Sequence, residues 1–359
     1  SLNTGTNAQA ITFGSISISS SSSSTEAIKI IGDASESDTS VTSLGVNIYG
    51  TSLIQETGTG GIYMNGSANE GDAYEAGVTL QSTTAILAQS GPILIESDNA
   101  TRTATTNYDL YLSGDIVLGS KAGTNVTSSF SNITIRANDI DVGTPTLSTK
   151  GSVRIEPFGN SFNNDLTWPI SNLNISNNIN GLTLGKSGNT TNINVNSNQI
   201  VAGPISIYGG DITLSNSVTA SGTLLLQGSG ATTQSAAVSA TTLSLQGSGT
   251  FELTNSGNSV DIITAGTNAQ DTGTISYTNS KALTIGDGSN GIRSTCTIQV
   301  GTLSGNLTLS NNISTDNITN SAIKLYADQG EAAGSEGQGN IIISGTPSLT
   351  TGSGGRASL

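Results

Sequence analysis

The sequence predicts an all-β chain wound as a single-stranded parallel β-helix, a solenoid with coils of about 19–20 residues. Three observations predict it. A short alternating apolar pair recurs along nearly the whole length, one short stretch repeats at an offset of about 19 residues, and aromatics make up only 4% of a chain with 45 Gly. Apolar residues at i and i+2 face the same side of a strand, so each pair marks a short strand with one buried side. No segment keeps the 3.6-residue period of a helix.

In chain order the pairs are Ile16/Ile18, Ile28/Ile30, Val46/Ile48, Ile62/Met64, Val78/Leu80, Ile93/Ile95, Leu110/Leu112, Ile133/Ile135, Val153/Ile155 and Leu173/Ile175. Then come Ile193/Val195, Ile205/Ile207, Leu224/Leu226, Leu243/Leu245, Leu283/Ile285, Ile298/Val300, Leu307/Leu309, Ile323/Leu325 and Ile341/Ile343. The repeated stretch is LLLQGSG from Leu224 against LSLQGSG from Leu243. In a parallel β-helix each strand hydrogen-bonds to its equivalents in the coils above and below, and the pairs line a narrow interior. About 18–20 coils at a strand spacing of about 4.8 Å give a rod on the order of 90 Å long. An antiparallel sandwich or barrel predicts hairpins about every 8–12 residues and a larger aromatic core. The glycine pairs Gly60/Gly61, Gly209/Gly210 and Gly354/Gly355 are expected to supply positive φ at tight corners, one of them in YGGD from Tyr208 to Asp211.

Residues 1–359 read as one continuous rod with extra-core loops near 19–25, 156–170 and 327–340. The serines at 19–24 predict a flexible loop. The segment EPFGNSFNNDLTWPI, Glu156 to Ile170, holds the only Trp and two of five Phe, and reads as a hydrophobic plug over a coil edge or as a binding protrusion. ADQGEAAGSEGQGN, Ala327 to Asn340, reads as a polar excursion between strands.

Composition narrows the function. Eleven Lys+Arg against 25 Asp+Glu give a net charge of −14, and the basic residues form no run, which argues against a nucleic-acid partner. With no histidine there is no Ser-His-Asp triad, no Cys-His pair and no histidine-ligated metal. Cys296 is the single cysteine, so it forms no intramolecular disulfide; within TCTIQV it predicts a small buried side chain. No apolar window reaches the length of about 18 residues that a membrane span needs. Ser1 opens no signal segment, and the chain reads as a piece of something longer.

The acidic candidates are Asp139 and Asp141, placed on one face of a strand with Ile140 and Val142 on the other, and Glu70, Asp72 and Glu75 in NEGDAYEAG. Polysaccharide-cleaving β-helices use clustered carboxylates or bound calcium on consecutive coils, but a solvated outward face is the expected role here. DGSNG, Asp287 to Gly291, reads as a turn. Sequons at Asn99, Asn125, Asn132, Asn174, Asn189, Asn306, Asn312 and Asn317 arise readily in a chain this rich in Asn, Ser and Thr; corner asparagines are expected to stack as side-chain ladders. No catalytic, cofactor-binding or metal-binding residue is assigned, and no cofactor is expected.

NLNISNNINGLTLGKSGNTTNINVNSNQIVAGPISIYGGDITLSNSVTASG, from Asn172 to Gly222, and GNIIISGTPSLTTGSGGRASL, from Gly339, resemble the repeat region of filamentous haemagglutinin-like adhesins. The resemblance is clearest from about residue 105 onward. It implies a right-handed parallel β-helix, export by two-partner secretion, and a place outside the cell or on the bacterial outer surface. None of the six prolines follows Asn, so the family's secretion motif is not in this stretch, and there is no Arg-Gly-Asp. The expected role is a non-enzymatic shaft, a rigid spacer or fibre in an adhesin. It would reach a host cell, a neighbouring cell or extracellular matrix through parts outside this segment, with self-association through open coil ends. The alternatives are a carbohydrate- or ice-binding face, though TTNINV and SLTTG lack a strict Thr-x-Thr register, and a polysaccharide-cleaving enzyme.

Overall fold

The computed structural model describes residues 7–34, 40–68, 71–99, 107–175, 179–267, 269–330 and 339–359. Its regular elements are all strands, and the strand pairs run parallel, as the apolar pairs require of a β-helix. The chain forms two compact units, Ser1–Lys186 and Ser187–Leu359.

In the N-terminal unit the coils lay one strand on each of three sheets, except that Leu166–Trp168 of the last coil lies off the first sheet. The first sheet stacks Asn7–Gly14, Ser40–Tyr49, the start of Gly71–Ala88, Asn107–Gly114 and Ile140–Val142. The second stacks Ser17–Ser20, Thr51–Glu56, the end of Gly71–Ala88, Val117–Gly119, Thr146–Ser148 and Asn174–Ile175. The third stacks Ile28–Ala34, Ile62–Ala68, Ile93–Asn99, Ile133–Arg136, Ser152–Glu156 and Gly181–Leu184.

Coils here are longer than the sequence period suggests. Ile28 pairs with Ile62, Ile62 with Ile93 and Ile93 with Ile133, so each of these coils consumes roughly 30 to 40 residues. The step from Ile133 to Val153 falls back to about 20 residues. The extra length goes into strands that run past the core as two facing layers. At Gly32 an added Cβ would lie 2.0 Å from the Gly45 carbonyl oxygen, and at Gly66 2.0 Å from that of Gly77, so the layers meet backbone to backbone. One coil further on, Ser97 and Asp109 stand in that place; the Ser97 hydroxyl donates to the Asp109 carbonyl and accepts the Val78 N–H at 2.7 Å.

The first coils of the C-terminal unit hold the predicted period. Ile193 pairs with Ile212, Ile212 with Thr232 and Ala231 with Thr250, each step taking about 19 or 20 residues. From Phe251 onward the coils lengthen, Phe251 pairing with Ile275, Ile275 with Ile298, Ile298 with Ile323 and, in the longest step, Ile323 with Ala357. LLLQGSG and LSLQGSG lie in register on adjacent coils, Leu224 on Leu243 and Gln227 on Gln246. Their corner is tight: a Cβ at Gly247 would sit 2.2 Å from the Gly228 carbonyl oxygen. Of the three glycine pairs, only Gly354 takes a positive φ. Gly61 and Gly210 are required instead by close approach, their Cβ positions lying 2.3 and 2.2 Å from the carbonyl oxygens of Thr25 and Thr190.

From Ile28/Ile30 to Ile323/Leu325 the predicted pairs are buried, Leu173/Ile175 excepted, where Ile175 is half-buried. In the last coil Ile343 is 52% exposed, whereas Leu309, its neighbour in register, is fully buried. The serine run is exposed but lies along the next coil: the carbonyls of Ser20, Ser22 and Ser24 accept the N–H groups of Thr57, Gly60 and Gly61 at 2.9–3.0 Å. In segment 156–170 residues Leu166–Trp168 form a strand rather than an extra-core loop, and Phe162, Leu166 and Trp168 are buried while Phe158 stays outside. Of 327–340, residues 331–338 lie outside the described residues.

Candidate functional site

Strand Ile140–Val142 pairs with Asn107–Gly114, placing Asp141 beside Tyr111 on the outer face while Val142 and Leu112 point inward. Asp139 sits on the bend immediately before this strand, which begins at Ile140, and both carboxylates lie near Tyr108. Tyr108 and Tyr111 lie ring over ring, with centroids 6.0 Å apart and planes 17° from parallel. Burial, then the charges of Asp141 and Asp139, push the Tyr108 hydroxyl's ionisation above the ordinary tyrosine range.

On the next coil the Asn164 amide donates to Asp139 Oδ2 at 3.3 Å. A cleft of about 190 Å³ opens there, lined by Asn138, Asp139, Ile140, Asn164 and Asp165 over the inward-turned Phe162 and Leu166. Behind the strip lies Asp109, fully buried, its Oδ2 accepting the Asn138 N–H at 2.5 Å. Burial, with Asp98 and Asp139 nearby, pushes its carboxyl up to about 7.

A second patterned face crosses the third sheet of the same unit. Register brings Glu96, Arg136 and Glu156 side by side. Arg136 Nη1 meets Glu96 at 2.6 Å, its Nε meets Glu156, and Arg154 reaches Glu156 at 3.1 Å. Tyr63 donates to Glu96 at 2.7 Å. Burial works to raise the Glu96 carboxyl, but the Tyr63 and Arg136 bonds outweigh it and hold it below the ordinary range. Burial and this carboxylate push Tyr63 up to about 12. These groups satisfy one another and present a cross-coil staple rather than a reactive centre.

The remaining candidates have structural places. Glu75 is buried; Glu70 and the Asp72 side chain lie outside the described residues. Asp287 accepts the N–H groups of Ser289 and Asn290 at 2.8 and 2.6 Å, which is a turn. Cys296 is partly exposed rather than buried. Among the described residues no group of three or more Asp, Glu or Cys stands close enough to hold a metal ion.

Corner asparagines clamp coil to coil. Asn132, Asn306 and Asn312, all sequon positions, accept the backbone N–H of Ser152, Asn340 and Ser348 at 3.0, 2.9 and 2.8 Å, and Asn198 does the same for Ser217. Each stands immediately before a strand, so its side chain tethers the matching corner of the next coil.

Sequence reasoning missed the tyrosines of the strip. Tyr108 and Tyr111 precede Asp141 by a full coil, and only the parallel pairing of Tyr111 with Asp141 brings them together. The two units are thus parallel β-helical solenoids with polar ladders on their outer faces. No family model, no curated protein and no solved structure matches this chain.

Proposed function

We propose that the chain is a shaft segment of a large bacterial adhesin, secreted or held on the outer surface, which acts as a rigid spacer or fibre in attachment. The observation that carries this reading is the unbroken stacking of parallel strands over an aliphatic interior in each unit. Every backbone ladder is shared between neighbouring coils, which gives a stiff spacer whose length is set by repeat number. The resemblance to filamentous haemagglutinin-like repeats supports the same role and supplies the expectation of two-partner secretion. In this reading contact with a host cell, a neighbouring cell or matrix is made by other parts of the parent protein, and the chain performs no chemistry.

A spacer tolerates a change in repeat number. Deleting one in-register coil, residues 212–231, is expected to leave a folded, protease-resistant protein whose remaining strands pair as before, measured by circular dichroism and limited proteolysis. Collapse of the fold on that deletion counts against a modular shaft. Release of new reducing ends from a polysaccharide panel, lost in Asp139→Asn with Asp141→Asn, replaces it with the enzyme reading.

A further inference from the structure

We propose that the strip of Tyr108, Tyr111, Asp141 and Asp139, continued by the Asn164–Asp165 cleft, binds an extended amino-sugar oligosaccharide. The inference goes beyond the spacer reading and does not depend on it.

The argument begins with shape. Two partly exposed tyrosine rings stacked 6.0 Å apart give the apolar faces on which the C–H side of a pyranose packs. Carboxylates and amides beside them accept and donate to hydroxyls. These groups fall on successive coils, 107–114, 139–142 and 162–167. The coil rise of about 4.8 Å is close to the advance of one sugar in an extended chain, so one ring per coil stays in register.

Charge then selects the sugar. Asp139, Asp141 and Asp165 line the strip. The basic side chains of the neighbouring third sheet are engaged elsewhere, Lys29 with Glu26 and Arg136 and Arg154 with Glu96 and Glu156, and just beyond it Lys186 donates to the Phe158 carbonyl. Ammonium groups on the ligand gain charge-assisted bonds to these carboxylates, and sulfated or uronic chains are repelled. An ammonium group also sits well over a tyrosine face. A basic peptide shares the charge and can set an ammonium over a ring, but it lacks the broad C–H face of a pyranose that packs along both rings, so the glycan is favoured.

The test titrates the full chain with a β-1,4-linked glucosamine hexamer by calorimetry, alongside its N-acetylated form, a heparin-derived hexasaccharide and hexalysine. The hexamer is expected to bind. Acetylation is expected to weaken binding about tenfold or more, and the heparin fragment to give no heat. Tyr111→Ala is expected to weaken it about tenfold, and the exposed-site variant Asp165→Ala about threefold, while Tyr208→Ala in the C-terminal unit changes nothing. Absence of hexamer binding overturns the proposal while leaving the spacer reading standing. So do affinities unmoved by both Tyr111→Ala and Asp165→Ala, equal binding of the acetylated hexamer, or equal binding of hexalysine.

Discussion

The N-terminal unit takes roughly 30 to 40 residues per coil up to Ile133, whereas the C-terminal unit takes about 19 or 20 from Ile193 to Thr250. The two solve one problem differently. Long coils extend past the core as paired layers and are tied across the outer face by charged side chains, Tyr63 to Glu96 to Arg136 to Glu156. Short coils leave no such overhang and are tied at their corners by neutral amides. Asn258 and Asn279, both fully buried, each accept a strand N–H of the preceding coil at 2.9 Å and donate to carbonyls on either side. A neutral amide suits a dry corner because it satisfies donors and acceptors together without the desolvation cost of a charge.

Breaking the comparison at the amide corner has the largest expected effect. Asn279→Ala orphans the Val260 N–H and carbonyl, the Lys281 carbonyl and the Tyr277 hydroxyl, a loss of about 4 kcal/mol. Hydrogen exchange should show it as lost protection in the C-terminal unit with the N-terminal unit unchanged. Equal loss in both units contradicts the separation.

Next comes the buried carboxyl of the long coils. Asp109 titrates at about 7 in the fold against 3.8 when free, so between those values the folded chain holds a proton that the unfolded chain has released. Stability therefore falls as pH rises through that window, is unaffected by this group below it, and is constant above it. Asp109→Asn should flatten the urea midpoint of the N-terminal unit between pH 4 and 7 and raise it at pH 8, by on the order of 3 kcal/mol. A wild-type midpoint that climbs with pH across the window defeats the assignment.

Arg136→Met should cost about 2 kcal/mol, because Glu96 and Glu156 are left facing each other, while screening at an arginine 37% exposed keeps the cost below that of a fully buried pair. Raising salt should narrow the gap between variant and wild type; a salt-independent gap points to lost packing instead. Smallest of all, Lys281→Ala removes an exposed pair with Asp261 at 2.6 Å and should shift the thermal midpoint by the equivalent of less than about 0.5 kcal/mol.

Much of the fold is legible in the residues themselves. Alternating pairs such as Ile205/Ile207 and Leu224/Leu226 leave a strand one way to bury its apolar side, and the QGSG repeat gives both the step and the register of adjacent coils. Coil length in the N-terminal unit was not legible. The overhanging layers carry small residues such as Gly32, Ala34, Gly66 and Ala68, whose role is to be close to another backbone rather than to be apolar. The function of the glycine pairs was half legible: the need for glycine at Gly61 and Gly210 follows from sequence, but its cause, a carbonyl oxygen 2.3 and 2.2 Å from the missing Cβ, belongs to the packing.

The candidate site divides the same way. Asp139 and Asp141 stand out in ANDIDV, yet their companions do not, since Tyr111 meets Asp141 only through the parallel ladder and Asn164 meets Asp139 only across a further coil. The sequence by itself determined the all-β class, the inward side of each strand and the short coils between Ile193 and Thr250, because these follow from side-chain period and repeat spacing. Only the tertiary structure decided which outward residues become neighbours, because stacking joins positions a whole coil apart in the chain, and loops of differing length reset that distance at each coil.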